Sequence, residues 1–73
     1  SKRDAIKIAL VSNKFTSEQV RDLMNLLDFE SSKMEIAKLA YSSTIDKSNY
    51  YKVYDAFDFE SSINELNHAL GIG

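Results

Sequence analysis

One five-residue segment occurs twice in this chain, and its recurrence constrains the fold more than any other feature of the sequence. Asp28-Phe29-Glu30-Ser31-Ser32 returns unchanged as Asp58-Phe59-Glu60-Ser61-Ser62, thirty positions later. A period of roughly 20–50 residues is typical of proteins built from units that stack on one another, because one unit cannot bury its apolar face alone. The sequence therefore predicts repeated units of about 30 residues.

Residues that interrupt helices are rare, which favours an all-α fold. The chain has 73 residues and no proline, and its two glycines, Gly71 and Gly73, stand at the end. We therefore predict a single helical repeat domain over 1–73, excised from a longer protein, with about five short helices in helical-hairpin repeats that form a small solenoid-like bundle. The longest apolar run, Ile8–Val11, is far shorter than the roughly 20 residues that span a bilayer, so a soluble domain without a transmembrane segment is expected.

Capping signals and apolar stripes place the first two helices. The first helix is predicted over 4–12, and its many apolar residues indicate burial on more than one side. Thr16 and Gln19 are predicted to form a capping box, in which the Thr16 hydroxyl accepts the Gln19 amide and the Gln19 side chain reaches back. The second helix then carries an apolar stripe with helical spacing, formed by Val20, Leu23, Met24 and Leu27.

The same stripe returns thirty positions later in the predicted fourth helix. Its members are Tyr50, Val53, Tyr54 and Phe57. Asp46 precedes this helix and is predicted to be its N-cap. The segment 46–57 has the length of a calcium-binding loop, but Tyr50 and Phe57 would stand at ligand positions five and twelve, which argues against a calcium site.

The recurring pentapeptide is interpreted as a structural elbow between helices. The residues assigned to it are Phe29, Ser32, Glu35, Phe59, Ser62 and Glu65. The two phenylalanines are predicted to plug the helix junctions, and each Ser-x-x-Glu is predicted to open a helix as a capping box. A cation site at the neighbouring acids and phosphorylation of the two serines are the functional alternatives. The structural interpretation is favoured because capping already accounts for the spacing.

The charges are distributed unevenly along the chain. Residues 1–14 carry four Lys and Arg against one Asp, whereas residues 53–73 carry four acids and no Lys or Arg. The pI is near 5.2, which disfavours nucleic-acid binding, because that function usually needs a concentrated basic face. The basic beginning and the acidic end suit weak head-to-tail self-association, although solvated surface charge is the favoured explanation, because exposed charge pairs are weak.

No combination of residues points to catalysis, a cofactor or a metal, so the chain is predicted not to be an enzyme. It has no cysteine, and its one histidine, His68, lacks the partners that a zinc site needs. Tyr51 lies off the predicted apolar stripe and is either packed against a neighbouring helix or exposed as an anchor for a partner. Tyr51 and His68 are therefore the candidate partner-binding surface.

The order of residues over nearly the whole chain carries a further signal. It includes Phe15-Thr16-x-x-Gln19-Val20, Ala37-Lys38-x-Ala40-Tyr41, Asn49-Tyr50-Tyr51 and Phe59-x-Ser61-Ser62-x-x-Glu65-Leu66. This pattern resembles a domain-of-unknown-function family that recurs in secreted or envelope proteins of Bacteroidetes-type bacteria and in some eukaryotic proteins. The resemblance implies an all-helical repeat domain and favours the bacterial cell envelope or secretion. It implies no activity, cofactor or catalytic residue.

These observations predict a non-catalytic protein-interaction or structural module whose partner is another protein or an adjacent domain of the same chain. The alternative is a small-ligand or metal-binding helical domain with a pocket around Tyr51 and His68. A thermal-shift screen with metals and metabolites separates the two, because a bound ligand stabilises the folded chain.

Overall fold

The computed structural model describes residues 1–72 and places most of them in helices. The elements are α1 (Lys2–Ser12), α2 (Ser17–Met24), α3 (Glu30–Ala40), a short 3₁₀ turn (Tyr41–Ser43), a long 3₁₀ helix (Lys47–Ala56) and α4 (Glu60–Leu70). The all-α prediction is confirmed, and the fourth of the five expected helices is 3₁₀ rather than α. None of the helices in this part of the chain combines the length and apolarity needed to cross a membrane.

The helices pack around one apolar core. We call α1, α3 and α4 the first layer, in which α3 contacts both of the others; in the second layer, α2 packs on the long 3₁₀ helix and also contacts α3. Each of these helices contributes buried apolar side chains, and Leu27 joins them just beyond the end of α2: Ile6, Leu10, Val20, Met24, Leu27, Met34, Ile36, Ala37, Ala40, Tyr50, Val53, Ala56 and Leu66.

The start of α2 is held by its own capping box and by a carboxylate from another part of the chain. Thr16 and Gln19 form the predicted capping box, with the Gln19 amide donating to the Thr16 hydroxyl at 3.2 Å and the Thr16 amide donating to the Gln19 side chain at 2.9 Å. Asp46 stands before the long 3₁₀ helix, as predicted, but it makes no capping bond there. Its carboxylate instead accepts the Ser17 amide at 2.7 Å and the Ser17 hydroxyl at 3.0 Å. These bonds hold the pKa of Asp46 below its ordinary value.

The long 3₁₀ helix buries every third residue, and this spacing corrects the predicted stripe. Tyr50, Val53 and Ala56 are buried, whereas Tyr54 and Phe57 are only half-buried. A 3₁₀ helix has 3.0 residues per turn, so side chains three apart lie above one another. The predicted α-helical stripe is therefore correct at Tyr50 and Val53 and wrong at its last two members, because Ala56 takes the inner position.

Both copies of the recurring pentapeptide open an α-helix, but not in the predicted way. We call residues 28–32 the first elbow and residues 58–62 the second elbow. The α-helices begin at Glu30 and Glu60 after extended N-cap residues, Phe29 and Phe59, whose own side chains make no capping bond. The predicted capping boxes at Ser32 and Ser62 are therefore wrong, because both serines already lie within the first helical turn.

The predicted phenylalanine plugs are also wrong. Phe29 is 70% exposed and Phe59 is 61% exposed. Each phenylalanine is the extended N-cap residue of its helix. Glu35 and Glu65, predicted to complete the capping boxes, instead form ion pairs with neighbouring helices.

Replacing either elbow phenylalanine is expected to change stability little. Phe29→Ser and Phe59→Ser should each alter the free energy of unfolding by less than about 0.5 kcal/mol, as surface substitutions usually do. Urea unfolding followed by circular dichroism measures this change. Phe57→Ser is the positive control, because the Phe57 ring packs against the core. A loss at Phe29 as large as that at Phe57 would contradict the exposed position.

Candidate binding surfaces

One edge of the long 3₁₀ helix carries two aromatic residues. Tyr51 and Tyr54 stand three positions apart, so their side chains follow the same edge of the helix. Phe57 comes directly after the last helical residue and packs against the core. Tyr51 is 58% exposed, and this settles the alternatives left by the sequence in favour of an exposed ring. The Tyr54 hydroxyl donates to the Asn67 side-chain oxygen at 2.7 Å, which ties this edge to α4.

His68 is exposed in the last turn of α4. It follows Asn67, the partner of Tyr54, but no hydrogen bond within residues 1–72 joins it to Tyr51. Three surface cavities, with volumes of about 410, 500 and 330 Å³, are lined by other residues. A common surface made by Tyr51 and His68 therefore stays a prediction. Among the same residues, no three Asp, Glu or His side chains lie close enough to hold a metal ion together.

Ion pairs link the three helices of the first layer in chain order. The Lys7 amino group donates to Glu35 at 2.9 Å, joining α1 to α3, and Arg3 lies 3.6 Å from the same carboxylate. Lys38 repeats the arrangement one helix later, with its amino group 3.3 Å from Glu65 of α4. The hydrogen bond from Lys7 is the main cause that lowers the pKa of Glu35. Exposed pairs of this kind add little stability, but they show which residues of neighbouring helices lie side by side.

These pairs occupy matching sequence positions. Each helix of the first layer carries an acid three residues before a cationic or ionisable nitrogen side chain: Asp4 and Lys7, Glu35 and Lys38, Glu65 and His68. In both observed pairs, the nitrogen belongs to the earlier helix and the acid to the later one. Asp4 and His68 are thus the members of this series at its two ends. The sequence already contained this signal, but only the packing of the helices reveals its direction.

The two elbows meet through one carboxylate that the sequence analysis did not assign to this role. Glu30, the first residue of α3, accepts the Asp58 amide at 3.0 and 3.1 Å and the Phe59 amide at 3.2 Å. It also accepts the Ser62 hydroxyl at 2.6 Å. Burial tends to raise the pKa of Glu30, but the hydroxyl and the two amides outweigh it, and the pKa lies below its usual range. Glu30 thereby caps the start of α4.

A buried lysine completes the second elbow. Lys33 is 8% exposed, and its amino group lies 3.5 Å from the Asp58 carboxylate. Ser62, one of the two serines considered for phosphorylation, is itself buried and bound to Glu30. The second elbow therefore binds the Glu30 carboxylate with two backbone amides and one hydroxyl, and Lys33 lies beside the Asp58 carboxylate.

A protein-family model described as a domain of unknown function, DUF4476, matches residues 1–70. Neither a curated protein nor a solved structure matches the chain.

Proposed function

The chain belongs to the DUF4476 family, and we propose that it is a non-catalytic module that packs edge to edge against an adjacent helical unit. The proposed partner is a second copy of this chain, which carries the same arrangement of charges. An adjoining domain of the same chain could present the same surface.

The observation that carries the proposal is the directional series of ion pairs in the first layer. Lys7 of α1 forms an ion pair with Glu35 of α3, and Lys38 of α3 forms one with Glu65 of α4. The following nitrogen in the series is His68, which is exposed on α4. The acid that matches Glu35 and Glu65 on the first helix is Asp4. A second copy whose α1 lies beside α4 would therefore continue the layer with His68 facing Asp4.

Charge and aromatic exposure support the same contact. The basic beginning of one copy would meet the acidic end of another, and complementary charges favour encounter and orientation more than affinity. Tyr51 offers an exposed aromatic ring on the element that is tied to α4 by Tyr54. Tyrosine is enriched among residues that dominate binding energy at interfaces.

Charge variants test this arrangement by sedimentation velocity. Self-association should weaken between about 0.1 M and about 1 M salt, because the Debye length falls from about 10 Å to about 3 Å. Asp4→Lys should weaken it, and His68→Lys should strengthen it, since lysine stands at the matching positions of α1 and α3. Combining Asp4→Lys with His68→Glu should restore association by reversing the pair.

Two controls separate this contact from general effects of charge. Asp22→Lys changes the net charge as much as Asp4→Lys, but Asp22 is exposed on α2, outside both the basic beginning and the acidic end of the chain, and its replacement should leave association unchanged. Tyr51→Ser should weaken association without lowering stability, because the ring is exposed. A chain that stays monomeric in every salt concentration, or one that responds equally to Asp4→Lys and Asp22→Lys, would contradict the proposal.

A further inference from the structure

The first elbow has the same donor groups as the second, but it lacks the carboxylate. Among residues 1–72, the amides of Asp28 and Phe29 and the hydroxyl of Ser32 make no hydrogen bond. Their counterparts thirty positions later, Asp58, Phe59 and Ser62, all donate to Glu30. The same five residues therefore bind a carboxylate in one place and have none within bonding distance in the other.

A cavity lies beside these three donor groups. It has a volume of about 410 Å³ and is lined by Ser1, Lys2, Arg3, Leu26, Leu27, Asp28, Phe29 and Ser32. The lining includes all three residues whose donor groups are free, so they border an open space rather than packed side chains. The first turn of α1 forms the opposite wall of this cavity.

The charge arrangement at the first elbow also matches the occupied one. Lys7 of α1 and Lys38 of α3 hold the same place in the series of ion pairs, and they are thirty-one positions apart. When α1 is aligned with α3 by this difference, Lys2 corresponds to Lys33. Lys33 balances Asp58 in the second elbow, and Lys2 lines the cavity together with Asp28. Arg3 lines the same wall, and its guanidinium lies 3.6 Å from the carboxylates of Asp4 and Glu35. The first elbow therefore has a lysine on the wall that faces its aspartate, at the position that matches Lys33.

From these observations we propose that the first elbow is a carboxylate-binding site, which accepts an acidic side chain presented by a helical turn as Glu30 is presented to the second elbow. The inference is independent of the proposed self-association, because it concerns the start of α3 rather than the outer surfaces of α1 and α4. A free organic carboxylate has the same chemistry, and the test distinguishes it from a side chain.

The first arm of the test adds the acid to the chain. In the alignment of α1 with α3, the position that corresponds to Glu30 lies two residues before Ser1. The test variant therefore carries the dipeptide Glu-Ala in front of Ser1, and a variant with Gln-Ala in the same place is the matched control. Nuclear magnetic resonance should show the Asp28 and Phe29 amide protons moving downfield in the Glu-Ala chain relative to the control. The displacement should disappear on acidification, because a protonated carboxyl is a weaker acceptor.

The second arm adds acetate to the unextended chain at constant ionic strength, with chloride as the reference ion. Movement of the same two amides by acetate identifies a site that takes free carboxylates, whereas movement only in the Glu-Ala chain identifies a site for a side chain. Ser32→Ala should reduce either response, and the Asp58 and Phe59 amides serve as internal references that do not move. If neither arm displaces the Asp28 and Phe29 amides, the proposal is overturned.

Discussion

Replacing Tyr50 with alanine is expected to lower the free energy of unfolding by about 3–5 kcal/mol, the usual cost of removing a buried aromatic ring. Tyr50 is 2% exposed, and its ring meets the edge of Tyr41 with centroids 4.9 Å apart. Its hydroxyl donates to the Ala37 carbonyl at 2.5 Å, tying the 3₁₀ helix to α3. Small domains have only about 5–15 kcal/mol of stability in total, so thermal unfolding followed by circular dichroism should show a greatly reduced melting temperature.

Tyr50→Phe distinguishes the contribution of the ring to stability from that of the hydroxyl. It should cost about 1 kcal/mol, because it removes one hydrogen bond and keeps the packing. Burial raises the pKa of Tyr50 far above its ordinary value, so the unfolded chain loses this proton first as pH rises. Stability should therefore fall above about pH 10 in the parent chain, and this fall should be smaller in Tyr50→Phe. Equal losses in the alanine and phenylalanine variants would contradict a role for the ring in packing.

Local signals predicted the parts of the fold that depend on near neighbours in sequence. The Thr16–Gln19 capping box lies within four residues, and it is present as predicted. Val20 and Met24 are buried four positions apart in α2, as the α-helical stripe predicts, and Leu27 is buried just beyond the end of that helix. In these segments, the pattern of side chains and the hydrogen bonds of the backbone favour the same structure.

A similar stripe thirty positions later is not enough to distinguish an α-helix from a 3₁₀ helix. Tyr50 and Val53 are three apart, so they satisfy both an α-helix and a 3₁₀ helix. Only the later residues distinguish the two: an α-helix would bury Tyr54 and Phe57, whereas the 3₁₀ helix buries Ala56. Tyr50 donates a hydrogen bond to α3 and Tyr54 donates one to α4, and these contacts between distant parts of the chain are not contained in a local stripe.

The elbows were located from the sequence, but the groups that bind them were not. Ser-x-x-Glu predicted a local cap, whereas the acceptor for the second elbow is Glu30, about thirty residues earlier. Asp46 acts in the same way on Ser17 of α2. In both cases, an acid from one segment caps a helix in another, and no local pattern distinguishes this from a cap within its own helix.

Glu30→Gln is expected to destabilise the chain, whereas Glu60→Gln, the same change in the second copy of the pentapeptide, should be nearly neutral. Glu30 accepts two amides and the Ser62 hydroxyl, whereas Glu60 is exposed. Hydrogen bonds to charged groups contribute about 1.5–3 kcal/mol, and solvent screening of the partly exposed Glu30 reduces the expected loss to roughly 1 kcal/mol. Urea unfolding of the two variants at neutral pH measures the difference.

The pH dependence gives a second measure of the same contact. Because the pKa of Glu30 is lower in the folded chain than its ordinary value of 4.5, the unfolded chain takes up this proton first as pH falls. The stabilisation is therefore present above about pH 4.5 and is lost as pH falls through the folded pKa. The difference between Glu30→Gln and the parent chain should shrink over that range, while the difference for Glu60→Gln should stay near zero. A pH-independent difference, or equal losses in the two variants, would show that the Glu30 carboxylate does not stabilise the start of α4 by its charge.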